Sequence, residues 1–311
     1  MSSVDPIIWF FLFGVIAGLL KSELRMPPQV YALISMLLLL TIGMKGGVEL
    51  AAHNPSTLLP QIVIVGLSGF ILPLIVYPFF RYLGRFSRPD AASLAAHYGS
   101  VSVGTFAVAV SYLSARSIGF EPQMALFVVV LEIPAILVGI VLAKGLGSRD
   151  NWKPLAHEVF LGKGVVLLLG GLFIGWASGE EGISSISPLF FDLFKGILAL
   201  FLLEMGLIAA SQANSLIRFG LPLLILGIAV PLLFSIIGLL VGNLIDLSVG
   251  GVTVLATLFA SASYIAVPAA MRISVPEANP TLSLTASLGV TFPFNIIVGI
   301  PIYLSMAQKF A

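Results

Sequence analysis

The sequence contains no cysteine and very little charge. The lack of cysteine excludes disulfides, thiolate metal sites and cysteine nucleophiles. Only 9% of the 311 residues are charged, whereas soluble domains carry roughly 25%. The net charge of +1 predicts no nucleic-acid partner. Because 59% of the residues are hydrophobic, we expect the lipid bilayer to surround most of the chain.

The motifs of common hydrolases and nucleotide-binding enzymes are also missing. The sequence has no His-Glu-x-x-His motif, no Walker A loop and no Gly-x-Ser-x-Gly motif. Its three histidines are far apart along the chain. We therefore predict that the protein is not an enzyme.

Ten apolar runs are long enough, or nearly so, to cross a membrane, which takes about 20 residues each. They are 6–20, 28–49, 57–80, 91–114, 121–144, 160–178, 188–211, 217–244, 249–271 and 281–307. A β-barrel would instead need segments of about 10 residues with alternating polarity. The continuous run Leu37–Leu40 contradicts that pattern.

Lysine and arginine are distributed unevenly between the connections. Eleven lie in the odd-numbered connections, against Arg116 and Lys309 in the even-numbered connections and termini. Positive residues favour the cytoplasmic side. Both termini are therefore predicted to face outside, and the loop near 145–159 to be cytoplasmic.

Short motifs recur after about 160 residues. The recurring pairs are Gly43-Met44 with Gly206-Leu207, Gly99–Ser102 with Ala260–Ser263, Glu121-Pro122 with Asn279-Pro280, and Pro134 with Pro293. Five spans per half is an odd number, so the second half should be inverted in the membrane. The predicted division is a first repeat over 1–146, a cytoplasmic linker over 147–159 and a second repeat over 160–311. Inverted repeats are typical of secondary transporters.

Spans four and nine carry small, hydroxylated and helix-breaking residues at corresponding depths, in His97–Thr105 and Ala260–Pro268. This pattern predicts discontinuous helices. The start of a half-helix attracts a small anion, and freed carbonyl and hydroxyl oxygens suit Na⁺. The alternative is that Gly and Ser only allow close helix packing.

Ionisable groups inside a membrane are functional candidates. Glu132 in span five could coordinate a cation, carry a proton or simply pair with a hydroxyl. Lys45 and Glu204, in spans two and seven, are predicted to form a buried ion pair. His97 is predicted to be either a hydrogen-bonded core residue or a ligand. Tyr264 is predicted either to cap the site with its hydroxyl or only to fill space.

Several segments resemble the cyanobacterial sodium-dependent bicarbonate transporter family. They are Thr41–Gly47, Tyr98–Thr105, Glu132–Ala135, Gly250–Ala256, Ala260–Ser263 and Arg272–Pro280. The resemblance covers nearly the whole chain and is most specific over 250–280.

The resemblance implies an all-α membrane protein with ten transmembrane helices in two inverted five-helix repeats. Helices 4 and 9 would be broken and cross each other, and core and gate domains would be arranged as in bile-acid symporters. The resemblance further implies an elevator-type motion, a homotrimer in the bacterial inner membrane, and Na⁺-coupled uptake of bicarbonate with no cofactor besides the coupling ion.

The match also implies site residues. The substrate-binding residues would be Ser102, Val103, Gly104, Thr105, Ser261 and Ser263. The cation site would use Glu132, Ser100, Ser263 and Tyr264. Glu132 stands where the family has a sodium-linked aspartate.

The sequence departs from the family pattern at four places. Ser102–Thr105 reads Ser-Val-Gly-Thr instead of Ser-Gly-Ser-Thr, Tyr264 replaces an expected aspartate, and Glu132 is longer than aspartate. The lost acidic ligand should weaken Na⁺ binding or change the coupling ion. The loop near 145–159 is short, which argues against a PII-like regulatory partner.

Our leading hypothesis is therefore a Na⁺-coupled symporter of bicarbonate or a similar small monoanion. The alternative within transport is a proton-coupled carrier of a small organic anion, with Glu132 as the proton carrier. A passive channel or a membrane sensor that does not transport is the alternative from another class.

Overall fold

The computed structural model describes residues 6–51, 58–145, 157 and 161–310. Its principal helices are α1 Pro6–Leu19, α2 Pro28–Ala51, α3 Leu58–Leu83, α4 Arg88–Gly99, α5 Val103–Ser114, α6 Met124–Lys144, α7 Lys163–Ile183, α8 Phe194–Ser211, α9 Ala213–Phe219, α10 Leu221–Leu244, α11 Val249–Phe259, α12 Ala266–Ser274 and α13 Pro280–Lys309. These described ranges contain no strand. The predicted linker 147–159 lies outside them apart from His157.

Eight helical segments in the described ranges are long and apolar enough to span a membrane, and α4 with α5 counts as one of them. The other two predicted spans correspond to shorter apolar helices. The run at 6–20 is the 14-residue helix α1, which extends only about 21 Å against about 30 Å of hydrocarbon. The run at 249–271 is divided between α11 and α12. The regular secondary structure in the described ranges is therefore all helical, with the helix lengths and hydropathy of a membrane protein.

Local sequence sets where several helices begin and end. The Oγ atom of Ser87 accepts the N–H of Asp90, so α4 begins at Arg88. Helix α6 ends at Lys144 because Gly145 adopts φ 89°, a left-handed conformation that favours glycine.

The fourth and ninth predicted spans are both interrupted, which confirms the breaks predicted from sequence. Helix α4 stops at Gly99 and α5 starts at Val103, with Ser102 extended between them. Helix α11 ends at Phe259, and α12 begins only at Ala266.

The first interrupted segment lies at the centre of the protein. In its most apolar window, 94% of the residues are buried, compared with 22% for the segment that contains α7. The interruption is therefore surrounded by protein, as non-helical backbone at membrane depth must be.

The four outer helices, α1, α2, α7 and α8, pack in pairs between the two halves of the chain. Helix α1 packs against α8, and α2 packs against α7. Glycine makes both contacts possible. A Cβ at Gly206 would collide with the carbonyl of Phe11, and one at Gly47 with the carbonyl of Leu172. Small residues let membrane helices approach this closely.

Each interrupted segment is tied at its start to a distant loop. The carboxylate of Glu121 accepts the N–H of Ser248 just before α11. The carboxylate of Asp90, in the first turn of α4, accepts the N–H of Asn279 at 2.7 Å. Glu121 and Asn279 occupy corresponding positions in the predicted repeat. Each of the two bonds therefore joins this loop position in one half to the start of the interrupted segment in the other half.

Candidate functional site

The two helix interruptions contact each other directly. The N–H of Ser102 donates to Oγ of Ser261 at 2.9 Å. The N–H of Ser263 donates to the carbonyl of His97 at 2.8 Å. All of these side chains are buried. Two segments about 160 residues apart in sequence thus form a single crossing.

Ser102 organises the start of α5. Its Oγ accepts the N–H of Thr105 at 3.1 Å and the hydroxyl of Thr105 at 2.9 Å. The N–H groups of Val103 and Gly104 lie in the first turn, where a helix offers no internal acceptor. The first turn also carries the positive end of the helix dipole, so this site favours a small anion.

The hydroxyl of Tyr264 lies beside this helix start. It is adjacent to Gly104 and Ser102, and among the described residues it has no hydrogen-bond partner with ordinary geometry. The side chain is 8% exposed, and its ring packs edge-on against Phe292 at 5.8 Å. A buried unpartnered hydroxyl costs about 1–3 kcal/mol, which a bound anion would recover by accepting its hydrogen.

Aromatic side chains from the outer helices close one side of the crossing. The ring of Phe201 lies against Gly104 and stacks on Tyr31 at 5.9 Å. The hydroxyl of Tyr31 reaches the sulfur of Met205. Helices α2 and α8 therefore seal the α5 start from this side.

A buried amide, which the sequence reading missed, holds the end of α11. Nδ2 of Asn295 donates to the carbonyl of Ala260 at 2.8 Å, and its Oδ1 accepts the hydroxyl of Tyr303 at 2.7 Å. The signal available in the sequence was a lone amide within an apolar run.

The predicted cation residues are only partly joined. Oγ of Ser263 accepts the N–H of Val267 at 3.4 Å, and Oγ of Ser100 is buried without a partner in the described ranges. Glu132 is 7% exposed on α6, one turn before Ile136, which packs in a cluster with Ala96 and Val267. Within the described residues, the Glu132 carboxyl makes no hydrogen bond or ion pair.

The sequence matches a known family over nearly its whole length. Residues 6–308 match the profile of the Na⁺-dependent bicarbonate transporter superfamily. The chain belongs to this superfamily. The match confirms the resemblance found in the sequence and makes the protein a membrane transporter. A comparison with curated proteins gives no match.

In this bicarbonate-transporter relative, a cavity of about 1370 Å³ leads towards the crossing. It lies between the ends of α2 and α7 on one side and α5 with the loop before α6 on the other. Phe106 lines the cavity and donates its N–H to the carbonyl of Ser102. The cavity therefore comes within one helical turn of the α5 start.

The predicted ion pair between Lys45 and Glu204 is wrong. Nζ of Lys45 lines the large cavity and lies over the rings of Phe191 and Phe194, 5.6 and 5.4 Å from their centroids. Oε2 of Glu204 has no hydrogen-bond partner in the described part of the chain.

The separation along α2 explains this error. Glu204 is close to Tyr31 near the beginning of α2, and Lys45 lies 14 residues further along, about 21 Å away. Equivalent positions in a sequence repeat therefore did not mean neighbouring positions in space.

Proposed function

We propose that the protein is a secondary active transporter that takes up bicarbonate, or a similarly small monoanion, together with Na⁺. One observation carries the proposal: the start of α5, where Val103 and Gly104 have no helical acceptor for their N–H groups, meets the second interruption through the bond from Ser102 N–H to Ser261 Oγ. Membership of the superfamily supports the choice of anion and cation.

The structure suggests a division of roles among the predicted substrate residues. The N–H groups of Val103 and Gly104 would bind the anion. The hydroxyls of Ser102, Thr105 and Ser261 already hold one another or the backbone, so they would position the helix start. Ser263 would fix the second segment through His97.

Tyr264 belongs with the anion in this proposal rather than with the cation, because its free O–H is a donor beside a positive helix end. The cation would be held by oxygen atoms, from Ser100, Ser263 and Glu132 and from carbonyls released at the interruptions. Hard cations such as Na⁺ prefer these ligands. The buried carboxylate of Glu132 would balance the charge of the ion.

The packing supports an alternating-access motion of the elevator type. Helices α1, α2, α7 and α8 pack together and would form the gate. The crossing, with α3 and α6 packed against α4, would form the moving core. The large cavity opens one side of their boundary, while Phe201 and Tyr31 close the other. With both termini outside, as the lysine and arginine distribution predicts, the open side faces outwards.

Uptake by purified protein in liposomes tests the proposal. Labelled bicarbonate should accumulate above its external concentration when Na⁺ is high outside, and the accumulation should disappear when K⁺ replaces Na⁺. Equal uptake in both conditions would refute sodium coupling. Downhill movement without accumulation would indicate a channel.

A proton-coupled carrier of a small organic anion is the second candidate, favoured by the buried Glu132 carboxyl without a hydrogen bond. In that case a pH gradient alone would drive uptake, and Glu132→Gln would abolish the pH-driven component. Under the sodium proposal, a pH gradient without Na⁺ drives no uptake.

A further inference from the structure

A second, smaller cavity lies between α4, α12 and the loop that precedes α13. It has a volume of about 100 Å³, and its lining includes Ser93, His97, Met271, Arg272 and Pro280. It is separate in its lining from the large cavity and from the first turn of α5. None of the transport roles proposed above uses this space.

One ring nitrogen of His97, a residue that lines this cavity, has no hydrogen-bond partner among the described residues. Nδ1 lies 2.7 Å from the carbonyl oxygen of Ser93. Because a carbonyl only accepts, Nδ1 must carry the hydrogen, and Nε2 of the neutral ring then presents a lone pair. Nε2 is buried and unpartnered among the described residues, and His97 is 1% exposed.

The charges around the cavity favour an anion. Arg272, an exposed residue in the last turn of α12, is among the lining residues and is positively charged, and no acidic side chain lines the cavity. Ser93 is already paired with Ser283 through a hydroxyl–hydroxyl contact of 3.0 Å. A ligand that satisfies both Nε2 and Arg272 must therefore donate one hydrogen and also carry negative charge.

From this chemistry we infer that the His97 cavity is a second binding site for hydrogen carbonate. Its O–H would donate to Nε2 of His97, and its charged oxygens would accept from Arg272. Four heavy atoms fit a space of about 100 Å³. The remaining wall, formed by Met271, Val275 and Pro268, would exclude larger solutes.

The site can be tested by NMR on the full chain in lipid nanodiscs, with ¹⁵N-labelled histidine and methyl-labelled methionine. The chain has three histidines and eight methionines, so the spectra are tractable. At constant pH, hydrogen carbonate should shift the Nε2 signal of His97 and the methyl signal of Met271 with one saturation curve. Formate has the same charge but no O–H, and should leave Nε2 unshifted.

Three outcomes would overturn the inference. No saturable shift with hydrogen carbonate would mean that the cavity holds only water. An equal Nε2 shift with formate would mean that the donor requirement is wrong. Loss of the shifts in Ser102→Ala would mean that the probes report the site at the α5 start, so retention in that variant separates this inference from the proposed function.

Paired variants sharpen the test. His97→Asn can keep a donor to Ser93 but is too short to place an acceptor where Nε2 lies, so the Met271 shift should vanish. His97→Gln can return an acceptor to that position and restore part of the shift. Arg272→Gln should weaken binding at least tenfold, since a charge-assisted hydrogen bond is lost. Arg116→Gln, which changes an exposed arginine that does not line the cavity, should bind like the wild type.

Discussion

The two half-helices that follow the interruptions, α5 and α12, are built differently. Helix α5 has 12 residues and a side-chain cap from Ser102 at 3.1 Å. Helix α12 has nine residues, a longer contact of 3.4 Å from Val267 N–H to Ser263, and Arg272 in its last turn. The start of α5 faces the outer helices through Gly104 and Phe201, while α12 packs against α4 and α6.

This difference indicates that the halves share a topology but divide the chemistry. The well-capped start of α5 is suited to holding an anion at the moving boundary. Helix α12, which has no side-chain cap, would supply oxygen ligands and shape the His97 cavity. Substitutions at the two helix starts should therefore differ in their effects.

The largest effect is expected from Gly104→Ala at the α5 start. The added Cβ would collide with the hydroxyl of Tyr264 and the ring of Phe201. Overpacking of this kind costs about 1–3 kcal/mol, so anion uptake should fall roughly 10- to 100-fold. Gly196→Ala, where nothing lies near the added Cβ, is the control. If Gly104→Ala takes up the anion at the wild-type rate, the proposal that the anion binds at this position is wrong.

The next effect compares the serines near the starts of the two helices. Ser102→Ala removes the cap of α5, worth about 1 kcal/mol, and should lower uptake roughly fivefold to tenfold. Ser263→Ala removes only the 3.4 Å contact with the Val267 N–H. When uptake is measured at saturating Na⁺, so that weaker Na⁺ binding has no effect, this variant should lower anion uptake about twofold.

Ser111→Ala is the matched control, because the Ser111 hydroxyl is buried on α5 without a hydrogen-bond partner among the described residues. A larger loss in Ser263→Ala than in Ser102→Ala, at saturating Na⁺, would reverse the assignment of the two helices.

The narrowest effect, confined to one kinetic constant, is expected from Tyr264→Phe, which removes one donor and keeps the ring. The KM for the anion should rise roughly two- to tenfold, the range of one hydrogen bond, while the KM for Na⁺ stays constant. Tyr82→Phe, at a tyrosine that is 72% exposed, should change neither constant. A change confined to the KM for Na⁺ would return Tyr264 to the cation site.

The sequence was sufficient to predict the helical membrane class and the position of both interruptions. Those features depend on local composition: long apolar runs, and clusters of Gly, Ser and Thr inside them. The crossing of the two broken helices was expected from the resemblance to the family, but the individual bond from Ser102 N–H to Ser261 Oγ was not predicted.

Contacts between helices could not be predicted in the same way. The position of Lys45 over two phenylalanine rings and the closure of the α5 start by Phe201 depend on how whole helices are rotated and shifted. Most of these helices carry apolar residues on all of their faces. Their sequences therefore have little periodicity that would indicate which face contacts a neighbouring helix. Asn295 carried a local signal, but its partner at Ala260 depends on the same helix placement.

The central claim is that the anion binds at the start of α5. An experimental structure determined in Na⁺ and bicarbonate tests this most directly. We predict density for a small anion within hydrogen-bond distance of the N–H groups of Val103 and Gly104 and the hydroxyl of Tyr264. Anion density elsewhere along the path, with the α5 start empty in protein that transports, would contradict the account.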